Sequence, residues 1–247
     1  MAEVDLSRLA DAYRFRSDDG GSEIAAMLSI CGVGDDSHVV DVGGGRGAQA
    51  ESAKTLGARV TVIDPSMSML HHAVARSIGL GTVQGVGEAL PLASASADLV
   101  YFHLSIHHGD WKTMLDEAWR VARPGGYVWI WSMTDDHHRA SVLAKWFPRV
   151  AALDEARFPK IQAMSEHLAG LGGSVTTIER QESMTRTAAD WIEAVEAGYV
   201  STLHLLSDEE VAGGLERFRA AHPDLSEVIT YQLRYAGVSL QRPPLMS

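Results

Sequence analysis

The 247-residue chain is 46% hydrophobic and 21% charged, an ordinary globular composition with enough length to bury one large α/β core. Its formal charge of -11 repels phosphate backbones, and no lysine- or arginine-rich run offsets it locally, so nucleic acid is not an expected partner. No apolar run reaches the roughly 18 residues that a membrane-spanning helix needs, and Cys31, the lone cysteine, forms neither an intrachain disulfide nor a multi-thiolate metal site, so the expectation is a cytoplasmic protein without a membrane partner or a metal.

The opening "MAEVDLSRLADAYRFR" carries acids where a secretion signal carries lysines. Two amphipathic helices are predicted there, over Leu6 to Phe15 and Ser22 to Cys31, around the turn-like "SDDGG". A regular alternation follows: strand "HVVDV", helix "GAQAESAKTLG", strand "RVTVID", helix "SMSMLHHAVARSIG", strands "GTVQGV" and "ADLVYFHL", helix "KTMLDEAWRVA", strand "GGYVWIWSM". Glycine or proline punctuates each junction, the pattern of crossover connections and a parallel sheet covered on both faces. From His137 the alternation loosens into helical material ending at Gly172-Gly173, then strand "SVTTIERQESMTR", helices "AADWIEAVEAG" and "SDEEVAGGLERFRAAH", and a final strand "EVITYQLRYAGVSL" whose edge is expected to lie open to a partner chain. The prediction is a doubly wound, mostly parallel seven-stranded α/β sheet in one domain over 1–247. Residues 1–34 form a helical cover, 35–135 a core, and 136–247 a helical lid with the last two strands.

The stretch "HVVDVGGGRGAQA" sets a buried strand ending in Asp41 against a turn that is almost all glycine. A strand, a glycine turn and a helix place bare amides and a helix N-terminus at the carboxyl edge of the sheet, where ligands of open α/β sheets bind. Two ligand classes fit. "GGGRGA" can be aligned to a dinucleotide pattern, with Asp64 as ribose acid, as in an NAD-dependent oxidoreductase. A carboxylate just before the turn repels a pyrophosphate, however, and attracts an ammonium or sulfonium group.

These residues resemble the class I S-adenosylmethionine-dependent methyltransferases, in the type 11 or UbiE-like small-molecule branch. The resemblance runs in order from His38 to Met133 through "VVDVGGGRG", "VTVIDPSMSML", "VQGVGEALPLASASADLV", "HLSIHHGDW" and "EAWRVARPGGYVWI". It implies S-adenosylmethionine as cofactor, S-adenosylhomocysteine as product, and methyl transfer to oxygen, nitrogen or carbon of a small, partly apolar acceptor. It implies that Asp41 and Gly43, Gly44, Gly45 and Gly47 face the methionyl part, acting at Asp41 through charge or water. Asp64 would take both ribose hydroxyls, and Pro65, Ser66 and Met69 would flank the adenosine. His103 and Leu104 would border the cofactor, and Tyr13 with Arg16 would reach its carboxylate from the first helix. Where family members place an aspartate for the adenine amino group, this chain has Val86, leaving Glu88 or the backbone of Val86 and Gly87 to make that contact.

His107 and His108 follow the fourth strand, beside the transferable methyl in the resembling family, and imidazole titrates where it can take a proton from an acceptor. Either one is the candidate base; the bland alternative is a histidine that fixes the turn. The pairs His71-His72 and His137-His138 do not read as metal sites, because helical neighbours point about 100° apart. Trp119, Trp129 and Trp131 are expected in the core. Trp146, Phe147, Phe158, Trp191, Tyr199 and Phe218 are divided between packing the lid and lining an acceptor pocket. A protein that binds S-adenosylmethionine without transferring methyl remains the alternative of another class, and monomer and homodimer are both compatible.

Overall fold

The computed structural model describes residues 22–77 and 79–245. The elements are α1 (Ser22–Ile30), β1 (His38–Val42), α2 (Ala50–Thr55), β2 (Arg59–Asp64), α3 (Met67–Arg76), β3 (Gly81–Gln84), β4 (Ala97–His103), a 3-10 turn (Ile106–His108), α4 (Trp111–Val121) and β5 (Ala122–Met133). They continue with α5 (Asp135–Ala140), α6 (Val142–Trp146), α7 (Pro148–Arg157), α8 (Ile161–Gly170), β6 (Ser174–Thr187), α9 (Ala188–Glu196), a 3-10 turn (Ser201–Leu205), α10 (Asp208–Ala221) and β7 (Val228–Gln241). The expected first helix, with Tyr13 and Arg16, lies outside the described residues.

The seven strands form one sheet in the order β3-β2-β1-β4-β5-β7-β6. β1 pairs in parallel with β2 and β4, as β3 does with β2 and β5 with β4. Reciprocal bonds between Gly125 or Gly126 and Arg242, with Thr134 N–H to Arg234 O at 3.0 Å, run β7 antiparallel to β5. The final strand is therefore interior, and β3 and β6 are the edges. This corrects the open-edge expectation: chain order does not fix strand order, and the last strand inserts between two earlier ones.

The crossover helices α3 and α4 form where the sequence supplies both a cap and an apolar stripe. Ser66 caps α3 by accepting from Met69 N at 3.4 Å, and Met69, Leu70 and Ala73 are buried on one face. Asp110 caps α4 through Lys112 N at 3.2 Å, and Met114, Leu115, Ala118 and Val121 turn inward. β1 is buried at all five positions, as a central strand covered on both faces requires. Its first residue, His38, is interior because both ring nitrogens are bonded, Nδ1 with Ser96 O at 2.9 Å and Nε2 with Thr61 Oγ1 at 3.0 Å.

The described chain falls into two compact units. One, over 22–132, 159–180 and 236–245, has a core in which Val40, Val42, Val100, Phe102, Val128 and Ile130 pack with α4 and α8 side chains. The other, over 133–158 and 181–235, is built around Phe147, Trp191, Leu203, Leu215 and Phe218, with the Trp191 and Phe218 rings stacked at 4.0 Å.

Candidate functional site

The chain runs β1, β2, β3 outward to one side and then returns to place β4 against β1, so the order reverses between β1 and β4. Their carboxyl ends therefore lie side by side at a topological switch point, the place where ligands of open α/β sheets bind. The glycine turn leaves one of these ends and His103-Leu104-Ser105 leaves the other.

Asp41 is 1% exposed, and neither carboxylate oxygen has a hydrogen-bond partner among the described residues. Its register partner on β4 is Tyr101, wholly buried, whose hydroxyl is also unpartnered. Burial pushes the Asp41 carboxyl up to about 7; the Tyr101 phenol opposes the rise and the charge of Asp64 adds to it. Tyr101 faces Asp41 closely enough to act on its charge, but hydrogen-bond geometry between them is not achieved.

Gly43 has φ +69°, the left-handed region, and a Cβ there would stand 2.5 Å from Ser105 Cβ. Gly44 lies outside the left-handed region but has no room: its Cβ would stand 2.5 Å from Asp41 Cγ. The main chain thus lies directly on the buried carboxyl. Gly43 N–H donates to Ile63 O at 2.7 Å, and Gly47 N–H to Gly44 O at 2.9 Å closes the turn. Ser105 Oγ ties the turn to β4 by donating to Val42 O at 2.6 Å.

Asp64, 5% exposed, accepts from Gly45 N at 2.9 Å through one oxygen and from Ser66 N at 2.8 Å through the other. Burial raises its carboxyl, while those two amides pull it down. Each oxygen keeps a second lone pair for a ligand hydroxyl. Pro65 is exposed and its carbonyl accepts from Gln84 Nε2 at 3.0 Å. Met69 is buried behind the turn, its sulfur 4.0 Å from the Cβ position of Gly45.

Val86 is 47% exposed and leaves an apolar face beside the turn that follows β3. Gly87 packs against Met114, and Glu88 Oε1 accepts from Asp110 N at 2.8 Å, tying this turn to the cap of α4. Leu104 has φ +53°, an uncommon conformation for a side-chain-bearing residue that costs about 1–3 kcal/mol, held by its N–H to Trp131 O at 2.9 Å. His103 Nε2 lies 3.3 Å from Glu23 Oε1 on α1. His107 is buried and His108 exposed, their rings 4.0 Å apart.

Asp41, the glycine turn, Asp64, Leu104 and the histidine pair thus sit on the β1, β2 and β4 ends of one sheet edge. Glu88 and Val86 are on the neighbouring β3–β4 connection. Sequence reasoning missed Tyr101 and Ser105. Tyr101 had a signal, a phenol within the apolar run from Leu99 to Phe102; Ser105 had none. In the other unit, His137 and His138 are interior, and burial holds His137 down at about 4. There Phe147, Trp191, Tyr199 and Phe218 belong to that unit's own core. Trp129 and Trp131 are buried in the sheet, as expected.

Residues 40–130 match the family described as a methyltransferase domain. Malonyl-[acyl-carrier protein] O-methyltransferase of Enterobacter lignolyticus is 32% identical over 142 residues, 56% of this chain and 55% of that protein. Ubiquinone/menaquinone biosynthesis C-methyltransferase UbiE of Rubrivivax gelatinosus is 39% identical over 93 residues, 36% of each. The chain spans about half the length, or less, of these relatives. A putative methyltransferase from an antibiotic biosynthesis pathway of Anabaena variabilis shares the fold at TM-score 0.72 and 20% identity, over 89% of this chain and 96% of that one. With the switch-point geometry in hand, these matches make residues 40–130 similar to a methyltransferase domain, over the same stretch in which the sequence motifs run in order.

Proposed function

We propose that the chain moves the methyl group of S-adenosylmethionine to an oxygen, nitrogen or carbon of a small, partly apolar molecule. The observation that carries this reading is Asp41. A carboxyl that is buried, has no hydrogen-bond partner among the described residues and lies against bare glycine backbone fits a ligand that brings positive charge, and does not fit a diphosphate. Bound there, S-adenosylmethionine would supply an electrophilic methyl group on a sulfonium.

The residues divide the work. Gly43, Gly44, Gly45 and Gly47 give an extended ligand access to the main chain, and Asp41 supplies the opposing charge. Asp64, already fixed by two backbone amides, presents its remaining lone pairs to ribose hydroxyls. Pro65, Ser66 and Met69 form the wall beside it. Val86 offers an apolar face for an adenine ring, and the backbone of Val86 and Gly87 or the carboxylate of Glu88 supplies polar contact. His103 and Leu104 bound the site from β4.

Methyl transfer depends mainly on holding the acceptor in line with the methyl group. His108, exposed at the end of the 3-10 turn, is the group that an arriving acceptor can reach, and it takes a proton when the acceptor arrives protonated; the buried His107 ring backs it. A charge of -11 disfavours a polyanionic acceptor. Among the described residues no helix is long and apolar enough to cross a membrane, and we place the protein in the cytoplasm as a monomer or homodimer. Calorimetric titration with S-adenosylmethionine and S-adenosylhomocysteine tests the reading: heat of binding for both is expected, and none for either at millimolar ligand refutes it.

A further inference from the structure

Two polar groups lie in the middle of the sheet where apolar side chains are the norm. Asp41 on β1 and Tyr101 on β4 are register partners, 1% and 0% exposed, and among the described residues none of their three side-chain oxygens has a hydrogen-bond partner. A polar atom in that condition ordinarily costs about 1–3 kcal/mol, so an unpartnered pair at a ligand site calls for an explanation. The rest of the neighbourhood is satisfied: Ser105 Oγ is committed to Val42 O and both Asp64 oxygens to backbone amides.

We propose that Tyr101 is a positioning residue for Asp41, and that together they form a charge switch beneath the glycine turn: Asp41 gives up its proton when a cationic ligand settles on the turn. This rests on the methyltransferase reading and adds to it a coupling between cofactor binding and pH. The ionisable groups acting on Asp41 are Tyr101 from β4 and Asp64 from the end of β2, and no cationic side chain pairs with it among the described residues. Without a ligand, the buried carboxyl retains its proton up to about pH 7. A sulfonium or ammonium on the turn reverses that preference, because opposite charge at close range favours the ionised form. The O–H bond of Asp41 then breaks, the electron pair stays on oxygen, and the proton passes to the buffer. Tyr101 remains a neutral donor, since burial and the neighbouring Asp41 push its phenol well above the ordinary range. A small shift into hydrogen-bond geometry lets it fix the orientation of the newly formed carboxylate.

The test uses the full chain and S-adenosylmethionine. Calorimetry in two buffers of different ionisation enthalpy, from pH 6 to 8, is expected to show proton release approaching one per ligand at the acid end. A carboxyl with its midpoint at about 7 is ionised in roughly three-quarters of molecules at pH 7.5 and a tenth at pH 6, so affinity falls about eightfold between them. Tyr101→Phe is expected to move that midpoint upward by roughly half a unit to one unit, which a merely space-filling role would not do, and Asp41→Asn to abolish both proton release and pH dependence. An infrared carboxyl band read without any ligand tests the switch separately. It is expected to disappear through pH 7 in the native protein, later in Tyr101→Phe, and to be missing in Asp41→Asn. Binding with no proton release and flat affinity, an unmoved midpoint in Tyr101→Phe, or a band that titrates near pH 4 overturns the proposal. Absence of binding by either cofactor form overturns the ligand coupling and the cofactor reading together, whatever the infrared band shows.

Discussion

Replacing Asp41 by Asn removes a charge while nearly conserving shape, and the structure fixes the sign of its effect on stability. The Asp41 carboxyl is raised from 3.8 to about 7 by burial. Between those values the folded state holds a proton that the unfolded chain has released, so stability of the native protein falls as pH rises. At about 1.4 kcal/mol per pH unit, the folded state carries a penalty of about 4 kcal/mol above pH 7, and almost none near pH 4. Asp41→Asn carries no such penalty. Above pH 7 the variant is expected to be the more stable protein, by up to about 4 kcal/mol in urea unfolding or roughly 8–16 °C in Tm for a chain of this size. The advantage shrinks to within about 1 kcal/mol near pH 4, while S-adenosylmethionine binding is weakened and no longer varies with pH. The reasoning is refuted if the variant is less stable than the native protein at pH 8, or if its advantage is the same at pH 5 and pH 8.

Asp64→Ala is expected to abolish cofactor binding and His108→Ala to leave it intact while slowing turnover of a protonated acceptor; equal loss of binding heat in both would contradict the division of roles. Gly44→Ala places a methyl group 2.5 Å from Asp41 Cγ and should cost about 1–3 kcal/mol by overpacking. That cost should largely vanish in an Asp41→Ala background, and an additive double-mutant cycle would show that the contact is not the cause. In the second unit, Trp191→Ala removes a fully buried ring stacked on Phe218 at 4.0 Å and should cost about 3–5 kcal/mol in thermal unfolding; a loss under 1 kcal/mol would mean that this core tolerates the cavity.

The sheet was legible because its strands announce themselves. "HVVDV" and "RVTVID" are apolar runs stopped by a turn, and a central parallel strand has no solvent face to interrupt the run. The glycine turn was legible for a related reason: close approach excludes side chains, and sequence records the exclusion directly. What the sequence hid depends on contacts across strands. That Tyr101 stands beside Asp41 follows from the β1–β4 register, which no local pattern encodes. The place of β7 between β5 and β6 is hidden for the same reason. The helix read as starting at Gly47 begins at Ala50, because the turn consumes the residues before it. Phe147, Trp191 and Phe218 carried no mark distinguishing a pocket wall from a core. Their mutual packing decides for a core.

Among the described residues, the backbone passes from one compact unit to the other four times, at 132/133, 158/159, 180/181 and 235/236. Neither unit is a contiguous stretch, so no single proteolytic nick can release one of them as an intact polypeptide. Limited digestion should yield fragments that migrate separately in denaturant yet elute together in native buffer. A shortened chain ending near 180 would forfeit β7, and with it the strand between β5 and β6. Exchange of the helical segments between relatives is correspondingly constrained: a graft has to carry both 133–158 and 181–235, because half of that core has nothing to close against.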